Sequence, residues 1–254
     1  MNQVMAATVR RHDPDRFLTA LFAPPDKRDT LLTLYAFNHE LARAREVVSQ
    51  PPLALIRLQW WREVVEGAQR RHEVAEPLRA AIDRGELSAN DLLALIEARE
   101  VEAEPYIETL DAWRGYLLAS AGGLAVAAAR LLGAPDPEAL RPLGAAYGAA
   151  GVLRSIAVLA RQQRCLLPSD VLAEHGLSPE AVIAQPSTTP AVRQLAELTG
   201  SWLSVPPRLP RQAIAAALPF VLARRDLRRV PHAPLQRGLG DRLAVVLAGL
   251  RGRL

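Results

Sequence analysis

The fold is decided by residues 26–48, DKRDTLLTLYAFNHELARAREVV. Apolar side chains recur in this stretch at steps of three and four positions, as at Leu31, Leu34 and Leu41, which places them on one face of an α-helix. Asp26 is suited to cap the N-terminus of this helix, because its carboxylate can accept a backbone N–H of the first turn. One pair of prolines precedes the stretch and another follows it, so the helix is expected to have sharp boundaries.

The same helical spacing extends along the rest of the chain. Further helices are predicted at residues 53–67, 92–104, 105–132, 138–161, 179–184, 189–203, 211–229 and 240–250, with a kink at the glycine pair 122–123. No run of alternating β-branched residues occurs, so a sheet is not expected. Since no composition shift marks a linker, residues 1–254 are predicted to form one all-α domain, in which residues 1–14 are a flexible tail.

The composition excludes several classes of protein. Of the 254 residues, 50% are hydrophobic, which is enough for a sizeable core and argues against disorder. The single cysteine, Cys165, excludes a disulfide framework and a cysteine-rich zinc site, and the five histidines lack the spacing of metal ligands. The net charge of +4 is spread over 31 basic and 27 acidic residues, so no nucleic-acid partner is expected.

Acidic side chains recur on one face of a predicted helix, at Glu97, Glu100, Glu104 and Glu108. Carboxylates in such a row can hold Mg²⁺. Charged rows are more often solvated helix faces, and Arg99 lies among these acids, so the favoured interpretation is an exposed face.

Two longer parts of the chain carry a family resemblance. The first is RFLTALFAPPDKRDTLLTLYAFNHELARAREVVSQ (16–50) with LIRLQWWREVVEG (55–67), and the second is GAAYGAAGVLRSIAVLARQQRCLLPSDVLAEHGLS (144–178). In order and spacing they resemble the squalene/phytoene synthase family. The matching residues are Pro24, Pro25, Lys27, Arg28, Tyr35, Ala36, Phe37, Trp61, Arg62, Leu153, Arg154, Ala160, Arg161, Arg164, Leu167 and Pro168. The resemblance implies an all-α, single-domain isoprenoid synthase-like bundle of helices around a central cavity.

The enzymes of that family join two allylic isoprenoid diphosphates head to head, with Mg²⁺ held by two Asp-rich motifs. In this sequence the acidic positions of those motifs are occupied by Ala42, Arg43, Glu46, Ser155, Val158 and Leu159. Only one of these residues is still a carboxylate ligand, and metal ions supply several kcal/mol of transition-state stabilisation in such reactions. The sequence therefore predicts no metal site, no catalytic residues and no cofactor.

Other residues near these positions are candidates for contacts with a phosphate or for the lining of the pocket: Tyr35, Asn38, Glu40, Arg43, Arg154, Arg161 and Arg164. Arginine can bind a phosphate through two parallel hydrogen bonds. Arg43 is expected to pair with Glu40 or Glu46, because a buried unpaired arginine costs several kcal/mol and both acids lie one helical turn away. This pair is predicted to close or narrow the former metal site.

The changed motifs resemble a divergent branch of the family, the mitochondrial respiratory complex I assembly factor that lacks the Asp-rich motifs. Three pieces carry this likeness: AFNHELARAREVVSQ (36–50), LIRLQWWREVVEG (55–67) and an ending that runs from LR (153–154) to LPSDVLAEHGLS (167–178). The resemblance implies a non-catalytic helper in the assembly of NADH:quinone oxidoreductase, with a complex I subunit or assembly intermediate as partner. It also implies a cytoplasmic protein, with peripheral contact to the inner membrane, or a protein at the mitochondrial matrix face.

Two alternatives remain open from the sequence. An active head-to-head prenyltransferase would need Mg²⁺ at a relocated site, for which Glu40, Glu46, Glu63 and Glu66 are available. A protein that binds an isoprenoid lipid or a quinone would use the apolar cavity between the helices.

Overall fold

The computed structural model of the protein describes residues 3–48, 50–186, 189–202, 208–230, 232 and 236–254. Their α-helices are α1 Gln3–His12, α2 Pro14–Ala20, α3 Pro25–Glu46, α4 Pro51–Glu66, α5 Ala75–Asp83, α6 Ala89–Glu100, α7 Leu110–Leu117, α8 Gly123–Leu131, α9 Arg141–Arg154, α10 Ile156–Arg161, α11 Ser169–Glu174, α12 Pro179–Ala184, α13 Thr189–Ser201, α14 Ile214–Ala217, α15 Pro219–Arg229 and α16 Leu239–Arg251. No strand occurs in these ranges beyond a single bridge between Ile107 and Pro168. The predicted all-α fold is confirmed.

The helix predicted over residues 138–161 is interrupted at Ser155. This residue has φ −100° and ψ 9°, and its backbone N–H bonds to the carbonyls of Gly151 and Val152 at 3.1 and 3.0 Å. Helix α9 therefore ends one residue earlier, and the short α10 begins one residue later. The helix predicted from residue 189 ends at Ser201, while residue 203 lies outside the described residues.

The helix predicted to begin at residue 105 begins instead at Leu110. The side chain of Thr109 accepts the backbone N–H of Ala112 at 3.1 Å and caps the helix. Residues 105–109 are not helical, and the carbonyl of Ile107 accepts the N–H of Ser169 at 2.9 Å. A contact between distant parts of the chain thus overrides the local helical tendency.

The flexible tail predicted at residues 1–14 is not what the structure shows for residues 3–14. Residues from Gln3 to His12 form α1, which packs against α3 and buries Met5 and Val9. Its apolar side chains are too few to give a clear signal in the sequence, but they are enough to hold a short helix against a neighbour. No helix is predicted from the sequence at α2, α5 or α11 either, which have only 7, 9 and 6 residues.

A π-helical turn, Leu118–Gly122, joins α7 to α8 in one continuous rod, at the position where a kink was expected. Trp113 and Tyr116 in the rod's first half belong to one apolar cluster, together with residues of α9 and α13. Leu124 and Ala128 in the second half belong to another cluster, with residues of α3 and α6. The rod therefore contributes to both parts of the core.

Close packing of α9 against the π-helical turn requires a residue without a side chain. A Cβ atom on Gly144 would lie 2.5 Å from the carbonyl oxygen of Ala121 and 2.6 Å from the Cβ of Ala125. We expect Gly144→Ala to lower the free energy of unfolding by about 1–3 kcal/mol, since neither neighbour can move freely in a packed core. Urea unfolding followed by circular dichroism measures this change.

The control is the same substitution on the same helix. A Cβ on Gly151 meets no atom within 4 Å. Gly151→Ala is therefore expected to leave stability unchanged or to raise it by up to about 1 kcal/mol. Equal losses for the two variants would contradict the packing argument.

No helix in the described ranges is both long enough and apolar enough to span a membrane.

Candidate functional site

A cavity of about 340 Å³ lies between α3 on one side and α9 with α10 on the other. Asn38, Ala42 and Glu46 reach it from α3, since positions four apart lie on one helical face. Ser155, Val158 and Leu159 reach it from the opposite side. The structure thus brings together the two altered motifs, and five of the six predicted positions line one space.

Arg43 is the sixth position and does not line this space. The prediction that its ion pair lies between the two motifs is therefore wrong. The expected ion pair is present, with Arg43 Nη1 3.1 Å from Glu40 Oε1. The pair lies on another face of α3, because position 43 is rotated by about 100° from position 42. Glu40 borders a separate groove with Trp60 and His72, and the Arg43 side chain is 40% exposed. This pair therefore does not close or narrow the cavity, contrary to the prediction.

The acid buried in the cavity wall is Glu102, which the sequence did not single out. Its Oε1 accepts Arg99 Nη1 at 2.5 Å and the Tyr116 hydroxyl at 2.8 Å, while its Oε2 accepts Arg164 Nη2 at 2.5 Å. Arg99 also donates through Nη2 to Asn38 Oδ1 at 3.0 Å. One carboxylate thus joins α6, α7 and the segment after α10, and Arg99 connects it to α3.

Burial alone would disfavour the charged form of Glu102. The Arg99 and Arg164 guanidinium groups outweigh this effect and hold the pKa of the Glu102 carboxyl below its usual value. Burial and the neighbouring carboxylate raise the pKa of Tyr116, so its hydroxyl stays protonated and donates. Glu102 is therefore ionised at neutral pH and neutralised by its arginines.

A second buried acid, Asp226 of α15, is paired in the same way. Its two oxygens lie 3.3 Å from Arg154 Nη1 and 2.5 Å from Arg237 Nη1. Arg237 also contacts Asp15 Oδ2 through Nε at 2.8 Å. Arg154 and Arg237, which both line the cavity, therefore already have an acidic partner.

Of the remaining residues predicted to contact a phosphate or line the pocket, some line the cavity and others lie in a neighbouring pocket or on the surface. Asn38, Arg154 and Arg164 line the cavity. Tyr35 lies beside it in a small apolar pocket, where Arg16 stands 5.7 Å from the centre of the Tyr35 ring. Arg161 is exposed and does not line the cavity, because it lies on the outer side of α10.

Sequence reasoning missed several charged residues that line the cavity: Arg16, Arg99, Glu102, Asp226 and Arg237. The sequence gives little indication that these side chains are buried, because acids and arginines close together in sequence usually form a solvated surface. Glu102 falls between the exposed Glu100 and Glu104 side chains but turns to the interior, because a short 3₁₀ turn, Val101–Ala103, follows α6.

The residues present do not fit a cluster of Mg²⁺ ions. Mg²⁺ prefers carboxylate oxygens, and Ala42, Val158 and Leu159 offer no ligand atom. Glu46 keeps a carboxylate at the mouth of the cavity, where partial burial raises its pKa. In the described ranges no three His, Cys, Asp or Glu side chains are placed to hold a metal.

Three of the four acids considered for a relocated metal site are paired with an arginine or lie outside the cavity that contains Glu46. Glu40 is bound by Arg43, and Glu63 lies 2.9 Å from Arg70. Glu63 and Glu66 are on α4 and do not line the cavity that contains Glu46. The geometry therefore gives no support to a metal site built from these four residues.

Comparison with known proteins identifies the family. The family model for squalene/phytoene synthase matches residues 9–248. The mouse protein "NADH dehydrogenase (ubiquinone) complex I, assembly factor 6" is 28% identical over 181 residues, which are 68% of this chain and 54% of that protein. The Drosophila melanogaster homolog is 28% identical over 192 residues, or 70% of this chain and 58% of that protein.

An enzyme is also among the relatives. Phytoene synthase of Rhodobacter capsulatus is 26% identical over 182 residues, which cover 68% of this chain and 54% of the enzyme. The chain thus spans little more than half the length of the curated relatives it matches.

Solved structures share the fold over nearly the whole chain. A dehydrosqualene synthase superposes with a TM-score of 0.77 at 15% identity, covering 98% of this chain and 95% of that one. The squalene synthase HpnC from Alicyclobacillus acidocaldarius gives a TM-score of 0.65 at 18% identity, covering 98% and 93%. With this fold and a family model that extends over residues 9–248, the chain belongs to the squalene/phytoene synthase family.

Proposed function

We propose that this protein is a non-catalytic member of its family that assists the assembly of NADH:quinone oxidoreductase. The observation that carries the proposal is the state of the cavity. Its buried acids, Glu102 and Asp226, are each neutralised by two arginines. Of the five altered motif positions that line it, four carry Ala, Ser, Val or Leu. In such a cavity the carboxylates of Glu102 and Asp226 are already bound by arginines and are not free to hold metal ions.

The relatives support the assembly role. The mouse and Drosophila assembly factors match 68% and 70% of this chain, a segment that includes most of the domain. Their names connect those relatives to complex I. The partner would be a complex I subunit or an assembly intermediate, met at the cytoplasmic face of the inner membrane or at the matrix face of a mitochondrion.

The test is deletion of the gene in the source organism. We expect the amount of fully assembled complex I, measured by NADH dehydrogenase activity in native gels, to fall at least several-fold. Squalene, phytoene and their products should stay at the parental level, since the proposal assigns no synthesis to this chain. The wild-type gene should restore complex I.

A matched control uses an active relative. A dehydrosqualene synthase gene expressed from the same promoter has the same fold but should not restore complex I. Normal complex I in the deletion strain, together with loss of an isoprenoid hydrocarbon, would overturn the proposal and favour the active prenyltransferase.

Binding of an isoprenoid lipid or quinone in the cavity is a second candidate function. It is favoured by the apolar part of the wall, which includes Leu117, Val158, Leu159 and Leu166. The volume of about 340 Å³ lies within the range of small-molecule sites, about 300–1,000 Å³. Native mass spectrometry of the protein purified from its own source tests this function, because a bound lipid adds a defined mass.

A further inference from the structure

The C-terminal helix α16 presents a row of leucines to solvent. Leu239, Leu243, Leu247 and Leu250 are 79%, 58%, 47% and 61% exposed. They recur at steps of four, four and three positions, so they form one ridge about 16 Å long. We call these four residues the leucine ridge. Single exposed leucines are ordinary, but a continuous row of them marks an interaction surface.

The opposite face of α16 fixes the helix to the domain. Val245 is fully buried, and Gly249 lies so close to Phe22 that a Cβ would be 2.5 Å from the ring. Asp241 is buried and accepts Arg225 Nε at 2.6 Å and Arg229 Nη1 at 3.0 Å. The leucine ridge is therefore the outer face of a firmly packed helix and not a core face that has come loose.

The charge around the ridge is positive. Arg242 and Arg251 are exposed on α16, and neither makes an ion pair with a residue that the structure describes. Asp241 is the acid of this helix, and its two arginines from α15 already neutralise it. Arg242 borders a groove with Arg10 and Leu21, which is 42% exposed. The acids of that groove, Asp13 and Asp15, are paired with Arg16 and Arg237.

These features select among possible occupants. A second copy would bring arginines against arginines, which is unfavourable. A partner helix binds in a hydrophobic groove of the surface that receives it, and the leucine ridge is a protruding surface and not a groove. An amphipathic helix with leucines outward and arginines at its flanks fits the interface of a bilayer that contains anionic lipids.

We propose that the leucine ridge inserts into the headgroup region of an anionic membrane, with Arg242 and Arg251 on lipid phosphates. The contact is peripheral, since α16 has 13 residues and lies along the protein surface. This inference goes beyond the assembly role and does not depend on it, because it concerns a surface outside the cavity.

Vesicle co-sedimentation of the full chain tests the proposal. Vesicles of phosphatidylglycerol and phosphatidylcholine in equal parts should bind the protein, and vesicles of phosphatidylcholine alone should bind it at least about tenfold less. Leu243→Ser with Leu250→Ser should weaken binding to the anionic vesicles at least about tenfold, because both side chains lose apolar area that the lipid would cover. Arg242→Glu with Arg251→Glu should have a similar effect, which high salt should mimic.

A matched control removes exposed apolar side chains elsewhere. Leu53→Ser with Ile56→Ser changes two exposed residues of α4 and should leave vesicle binding unchanged. Circular dichroism should give wild-type melting for all variants, since the altered side chains are exposed. The proposal is overturned if the wild type does not bind anionic vesicles, or if the α4 variant loses as much binding as the α16 variant. Analytical ultracentrifugation showing a dimer that Leu243→Ser with Leu250→Ser dissolves would likewise overturn it.

Discussion

Replacing Glu102 with glutamine is expected to lower the free energy of unfolding by about 3–5 kcal/mol. The side chain is 5% exposed and its carboxylate is the shared acceptor for Arg99, Arg164 and Tyr116. Glutamine keeps the size of the side chain but removes the negative charge. The guanidinium groups of Arg99 and Arg164 are then buried without a negative partner, and this is the costly step, because a buried unpaired charge is not compensated by solvent.

Chemical denaturation of the Glu102→Gln variant, followed by tryptophan fluorescence, measures the loss. The matched control is Glu100→Gln, two positions away. Glu100 pairs with Arg62 at 2.7 Å, but its side chain is 44% exposed, so the loss should be at most about 1 kcal/mol. Similar values for the two variants would show that the buried network contributes no more than a surface ion pair.

Purified protein with Mg²⁺ and farnesyl or geranylgeranyl diphosphate is expected to give no squalene, phytoene or cyclopropyl intermediate. The reaction requires ionisation of a C–O bond to a highly charged leaving group, and Ala42, Val158 and Leu159 hold no ion that could neutralise it. Loss of metal assistance worth several kcal/mol for each ion corresponds to a rate lower by at least about 10⁴-fold. Product extraction and mass spectrometry measure the rate.

A dehydrosqualene synthase assayed in the same mixture is the control for active reagents. Turnover by this protein that stops on addition of EDTA would contradict the prediction and would establish a metal site that its cavity residues do not reveal. Consumption of substrate that persists in EDTA would indicate chemistry unrelated to the family reaction.

Parts of this architecture follow from local sequence, and parts do not. The helix at residues 26–48 was predictable because its apolar spacing and its flanking prolines act within a few residues, and α3 runs from Pro25 to Glu46. The approach of the two altered motifs across one cavity followed from the family resemblance. The break at Ser155 did not, because no proline or glycine marks it.

The buried acid–arginine contacts around the cavity could not be predicted from local sequence. Glu102 and Arg164 are 62 residues apart, and Arg154 and Asp226 are 72 apart. Only the fold decides which acids meet which arginines, so no local pattern could separate these buried groups from a solvated surface. The misplacement of Arg43 has a different cause. The motif alignment groups positions 42, 43 and 46, but each step along a helix turns the side chain by about 100°, so 42 and 46 share the face toward the cavity and 43 does not.

The rod formed by α7, the π-helical turn and α8 has a consequence for how the domain comes apart. Its first half is embedded in one apolar cluster and its second half in the other. An inserted residue in a π-helical turn re-aims the side chains that follow it, which lets a single rod serve two cores. Because the rod contributes side chains to both clusters, we expect the two parts of the core to unfold in one cooperative transition, with no populated species in which only one cluster has melted.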